Sequence, residues 1–246
     1  MSPFLLSVLL VSVRLLPILV VAPVAAFARA PMMIRMVLTF ALALVLTTAL
    51  PSNASIQLGF AVIAGELLLG AVMAFGFHAA YAGLDMAGKL IDTQMGLNAS
   101  GVFDPSTNNV TSIVAELLTL TFMLLFIVLD VHHDLLRVFA ALLVIVPPGS
   151  VSGVVMSHEL AQVMTQQFLL AFMMLIPVIL GLWLVDAAFA FLARSMPQAN
   201  IYFLALPVKL GIGILLLVLT LPLVVQRIPL LFEAALRGPA RALGAP

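Results

Sequence analysis

Cysteine is absent from the 246 residues. Disulfides, thiolate metal sites and thiol nucleophiles are thereby excluded, and the redox compartment leaves no trace. Charge is nearly as scarce. Charged residues make up 8% of the chain, ten basic against ten acidic, where a soluble domain carries about 25%. No charge run suggests a nucleic-acid partner or an acidic ligand. What remains is apolar: 64% hydrophobic residues and a mean hydropathy of +1.29. Such a chain cannot cover a core with its own polar surface, so lipid or a hydrophobic partner must do so. Length predicts a single membrane domain over 1–246, with a short basic tail from about 226 onward.

A helix needs about 20 apolar residues to cross a bilayer. Phe4–Ala28, Leu58–Ala82, Ile113–Leu129, Phe168–Ala193 and Ile201–Val225 meet or approach that length. Met36–Leu50 sits at the low end, and Leu135–Val146 reads as a re-entrant or partner-buried piece. Gly83–Ser112 and Pro147–Gln167 read as polar connections. Ala26-Phe27-Ala28 has the form of a signal cleavage site, but Arg14 and Pro17 interrupt the run before it, so the segment is expected to stay as a first helix. Arg29 and Arg35 place one loop in the cytoplasm, and Arg227, Arg237 and Arg241 demand the same of the tail. Six spans cannot satisfy both demands. A seventh span, or helices not arranged as ordinary spans, would.

Proline interrupts the apolar runs at Pro17, Pro23, Pro177, Pro207 and Pro222. Each removes a backbone donor and predicts a kinked helix with neighbours to serve the freed carbonyl. Gly76/Ala80 and Gly83/Ala87 have the small-residue spacing of closely packed helices, within the chain or between subunits. The expected fold class is all-α, a polytopic membrane protein of kinked helices and helical hairpins.

Polar residues inside apolar runs are the candidates for function. Glu66, His78, Glu116, Asp186 and Lys209 fall there, and a charge at mid-bilayer costs at least about 2.5–3.5 kcal/mol. Each therefore needs a partner or a water-filled cavity. Together they suggest either a polar path or paired helix–helix contacts, with Lys209 and Asp186 one such pair. Enzyme motifs are missing. His132-His133-Asp134 lacks the zinc-protease spacing and reads as an interfacial cluster rather than a metal site. Ser152-Gly153 lacks the setting of a nucleophile turn. No phosphate loop appears. No catalytic residue, cofactor or metal is expected.

Several strings then stand in a suggestive order: Gly65-Glu66; Gly88-Lys89-Leu90-Ile91-Asp92-Thr93-Gln94-Met95-Gly96-Leu97 followed by Asp104-Pro105; Asp130-Val131-His132-His133; Ile176-Pro177; Arg194-Ser195-Met196-Pro197-Gln198-Ala199-Asn200; and Pro207-Val208-Lys209. This order resembles the FliR family, the R subunit of the bacterial flagellar type III export gate, and its injectisome counterparts. The resemblance runs from about Val13 to Val225. It implies a subunit that joins P-type and Q-type subunits in a helical pore, near the A-type and B-type membrane proteins. That pore conducts unfolded export substrates across the inner membrane and is raised toward the periplasm.

The resemblance also implies a plug loop after the Gln-Met-Gly-Leu string. The corresponding stretch is Met95, Gly96, Leu97, Asn98, Ala99, Ser100, Gly101, Val102, Phe103, Asp104 and Pro105. Its local sequence departs from the family's usual Ser-Phe-Ala-Thr-like run. The residues still suit a seal: Gly96 and Gly101 offer hinges, and Met95 and Phe103 deformable apolar bulk. The alternative is an ordinary turn between helices. Arg194, Pro197, Gln198 and Asn200 form a structural corner, in which Pro197 forces Met196 out of helical geometry and Asn200 caps the next helix. A rival function, an ion-coupled solute transporter, would use Glu66, Asp186 and Lys209 as its relay.

Overall fold

The computed structural model describes residues 3–21, 30–48, 59–97, 112–150, 158–196 and 200–242. The protein is all-α and polytopic. Helix α1 (Pro3–Leu16) passes into a π-helical turn (Pro17–Val21); then follow α2 (Met32–Thr48), α3 (Phe60–Met95), α4 (Ile113–Val128), α5 (Val131–Ile145), α6 (His158–Ser195) and α7 (Ile201–Ala242).

Among the described residues, three helices hold windows long and apolar enough to cross a membrane: Phe60–Met95, Met164–Ser195 and Phe203–Arg237. Helices α4 and α5 pass that test as a pair bent by 68°. Phe4–Val20 and Met32–Thr48 are apolar but shorter. Of the expected spans, Leu58–Ala82, Phe168–Ala193 and Ile201–Val225 fall largely within these helices, Ile113–Leu129 is one arm of the bent pair, and Phe4–Ala28 extends beyond the described residues. Helix α3 has 36 residues, about 54 Å at 1.5 Å per residue, well beyond a hydrocarbon core of about 30 Å.

The polar stretch from Gly83 onward does not end α3. Asp85 and Lys89 pair across one turn at 2.6 Å on its surface, and Asp92 points inward, so the helix runs to Met95. Helix α6 likewise begins at His158, inside the expected connection Pro147–Gln167. Helix α7 carries through Pro207, Pro222 and Pro229 into the expected tail, where Glu233 and Arg237 stand one turn apart.

The segments Ile113–Leu129 and Leu135–Val146 are the two arms of the bent pair. Asp130 sits between them in the left-handed region, φ 54°. There its carboxylate meets His132 Nε2 at 3.8 Å and His133 Nδ1 at 3.4 Å. The donor atoms of all three residues lie within 4.8 Å of one another. Asp130 and His133 are mostly exposed, and the group sits at the turn between the two arms.

Two compact units emerge, each with its own core. The first comprises Met1–Tyr81, Met123–Gln167 and Leu230–Pro246. Val8, Leu10, Val11 and Ile18 of the N-terminal segment are fully buried in it. Phe126 meets Phe77 edge-on at 5.9 Å and Phe232 at 5.8 Å, geometry that adds roughly 0.5–1.5 kcal/mol per pair to area burial. Gly70 admits α1: a methyl there would overlap the Arg14 carbonyl.

The second unit comprises Ala82–Phe122 and Phe168–Pro229. Leu84, Ala87, Ile91, Leu118, Leu175 and Leu182 are fully buried there. A methyl on Gly88 would overlap the Ala115 backbone, so α3 and α4 touch main chain to main chain. Gly76, Ala80, Gly83 and Ala87 are all buried. The chain's own helices cover them, which settles their small size as internal packing.

Candidate functional site

The site of interest is the last turn of α3. The turn ends in a Schellman motif: Gly96 N–H donates to Thr93 O at 3.2 Å and Leu97 N–H to Asp92 O at 3.0 Å. Gly96 has φ +76°, a conformation that L side chains resist. The sequence therefore requires glycine here to stop the helix and turn the chain.

Asp92, one turn back, is fully buried. Both of its carboxylate oxygens accept from Val114 N–H at 3.1 Å, and one also accepts from Ser112 Oγ. Val114 is the second residue of α4, so a carboxylate on α3 satisfies one of its orphan donors and faces the positive end of α4. Thus the end of one helix fixes the start of the next.

Beside it, Gln94 bridges two side chains of α6. With its amide oriented to satisfy both, the nitrogen donates to Asp186 Oδ2 at 3.2 Å and the oxygen accepts from Trp183 Nε1 at 3.1 Å. The other oxygen of Asp186 pairs with Lys209 of α7. Met95 is buried and covers Gly213, where an added Cβ would come within 2.7–2.8 Å of its side chain. A Cβ on Gly96 would strike Leu206. The final residues of α3 are therefore held by an amide–carboxylate–ammonium chain on one side and by close apolar contact with α7 on the other.

Glu66 lies in a different setting, in the first unit. It is fully buried and accepts from Arg14 Nε at 2.5 Å and from Gly149 N–H at 2.8 Å. Arg14 Nη1 donates to Val146 O at 2.9 Å. Gly149 has φ +88°. Arg14 Nη2 is buried with no hydrogen-bond partner among the described residues. This pair ties α1, α3 and the turn after α5 together.

The structure thus joins Asp186 to Lys209, as expected, and gives Glu66 a partner that sequence reasoning had not named. Glu116 and His78 are exposed on their helices. Met95, Gly96 and Leu97 stand at the end of α3, whereas Asn98–Pro105 lie outside the described residues. At the corner, α6 ends at Ser195, Met196 is non-helical and Asn200 immediately precedes α7. Arg194 and Asn200 are exposed, and Pro197 and Gln198 lie outside the described residues.

Asp92 and Trp183 were not singled out by sequence reasoning. Asp92 had a usable signal, because Leu84, Gly88, Ile91 and Met95 mark a buried stripe at helical spacing that also contains position 92. Trp183 had none beyond being the single tryptophan.

Comparison with known sequences bears on the whole chain. Residues 5–235 match the family described as bacterial export proteins, family 1. The chain belongs to that family. Among individual relatives, flagellar biosynthetic protein FliR of Bacillus subtilis is 25% identical over 223 residues, 88% of this chain and 86% of its own length. The FliR of Escherichia coli is 24% identical over 218 residues, 86% of this chain and 82% of its own. Yop proteins translocation protein T of Yersinia pestis is 28% identical over 161 residues, 64% of this chain and 61% of its own. As a family member the chain is a membrane component of a bacterial export apparatus and not an enzyme. Nothing in these matches supports the solute-transporter reading.

Proposed function

We propose that this bacterial export protein is a subunit of the flagellar type III export gate, helping to form and to seal the channel through which unfolded substrates cross the inner membrane. The near full-length similarity to flagellar biosynthetic proteins carries this reading. The flagellar system is preferred over an injectisome because the flagellar relatives named above cover more than four fifths of the chain and the Yop protein under two thirds. The whole chain acts as one export-gate domain, since the family match runs through both compact units.

Its partners on this reading are the P-type and Q-type gate subunits, then the A-type and B-type membrane proteins, with lipid around the assembly. Large apolar residues such as Leu184, Phe191, Phe203, Val218 and Leu219 are well exposed on α6 and α7, as surfaces meeting lipid or apolar subunits must be. The assembly sits in the inner membrane within the basal body, raised toward the periplasm.

The seal is the stretch Asn98–Asp104, flanked by Met95, Gly96, Leu97 and Pro105. Support comes from how firmly its root is built: a buried Met95, a glycine-stopped helix and a carboxylate chain to α6 and α7. The mechanism is passive. The loop blocks the lumen at rest and yields to an arriving substrate, with energy supplied by other components. Deleting Asn98–Asp104 in the assembled gate, reconstituted in liposomes, should raise potassium efflux well above that of the parent. Unchanged efflux with the assembly intact would remove the plug from this account.

A further inference from the structure

The chain Trp183–Gln94–Asp186–Lys209 asks for an explanation beyond stability. Lys209 and Asp186 lie on helices otherwise read as membrane-spanning, where a charge is expensive and retained for function or pairing. A simple pair would have neutralised both. Here Asp186 divides its oxygens: one takes the Lys209 ammonium, the other takes an amide hydrogen of Gln94. Gln94 in turn receives the indole N–H of Trp183. Gln94 is two residues before the glycine that stops α3.

This amide makes a polar contact between the last turn of α3 and helix α6. Removing the Lys209 charge leaves Asp186 to seek other donors, and removing the Asp186 charge weakens the acceptor that anchors Gln94 and releases Lys209. Either change acts on where α3 ends without touching the stripe that packs it.

We propose that Asp186 and Lys209 are positioning residues of the gate: their ion pair, relayed by Gln94, holds the last turn of α3 in the non-conducting arrangement. Trp183 reads the state of that contact, because its indole N–H is bonded to the same amide. This inference rests on the sealing role given above to the stretch that follows α3.

The test uses the full chain in its gate with the P-type and Q-type subunits, in liposomes loaded with potassium. Asp186→Asn and Lys209→Met should each raise efflux about tenfold, a shift of 1.4 kcal/mol between closed and open populations. Both should shift Trp183 emission. Asp186→Glu keeps both the charge and the acceptor that Gln94 needs and should retain low efflux and near-parental emission, whereas the exchanged pair, Asp186→Lys with Lys209→Asp, puts a donor there and should still leak. Gln94→Leu keeps both charges and removes the relay; it should leak like Asp186→Asn, and it stands in should either charge variant fail to assemble.

Parental efflux in Asp186→Asn and Gln94→Leu, alongside a leaking Asn98–Asp104 deletion, would overturn the positioning role and leave the plug standing. Leak in the point variants with a tight deletion variant would overturn the plug and, with it, the positioning role. Tight variants of both kinds would overturn both.

Discussion

Two ion pairs in apolar helices divide the molecule between them. Arg14 and Glu66, in the first unit, are fully shielded, and their remaining valences go mainly to main-chain groups, Val146 O and Gly149 N–H. Asp186 and Lys209, in the second, are partly exposed, and their remaining valence goes to a side-chain amide at a helix end. A buried ion pair bonded to backbone in two places is fixed, since moving it would break those main-chain bonds along with the pair. One bonded through a side chain can release its partner by rotating a few torsions. The difference teaches which intramembrane charge builds the fold and which is suited to adjusting a gate. Burial alone would rank them the other way.

The comparison breaks first if the Arg14–Glu66 pair proves dispensable. Glu66→Ala should lower stability by about 3–5 kcal/mol, because it strands a buried guanidinium. The expected readout is loss of detergent-stable chain, with no selective gain in ion leak. A stable Glu66→Ala chain that assembles and leaks would place Glu66 with the gate instead.

Gly88→Val tests the main-chain contact of α3 with α4. Overlap with the Ala115 backbone should lower stability by about 1–3 kcal/mol, measured as a reduced thermal midpoint of the purified assembly. Asp92→Ala sharpens the distinction, because Asp92 lies in the second unit but is bonded to backbone. It should lose about 0.5–2 kcal/mol, the range of a helix cap, in thermal unfolding, with efflux near that of the parent. A strong leak would mean that place in the chain, rather than kind of partner, separates the two classes. The exposed Asp85–Lys89 pair is the smallest case: Asp85→Ala should change the thermal midpoint by no more than about 0.5 kcal/mol allows.

Much of this was legible in the residues. Long apolar runs marked α3, α6 and α7, and the opposed charges of Asp186 and Lys209 suggested their own pairing. The limits of those helices were not legible, because apolar runs report where lipid is tolerated and not where hydrogen bonding stops. Asp85 and Lys89 read as a connection, yet they satisfy each other on a helix surface. The pairing of Arg14 with Glu66 joins residues 52 apart in sequence, and no local period links them. The 68° break at Asp130 turns on a left-handed backbone at an aspartate, which an apolar-run reading passes over.

Membership in a gate of several different subunits would show in the mass of the purified assembly. The tagged chain would be co-expressed with the P-type and Q-type subunits from the same source, extracted in mild detergent and weighed intact. The account predicts one large complex containing all three chains. A stable, monodisperse single chain that takes up neither partner would contradict it.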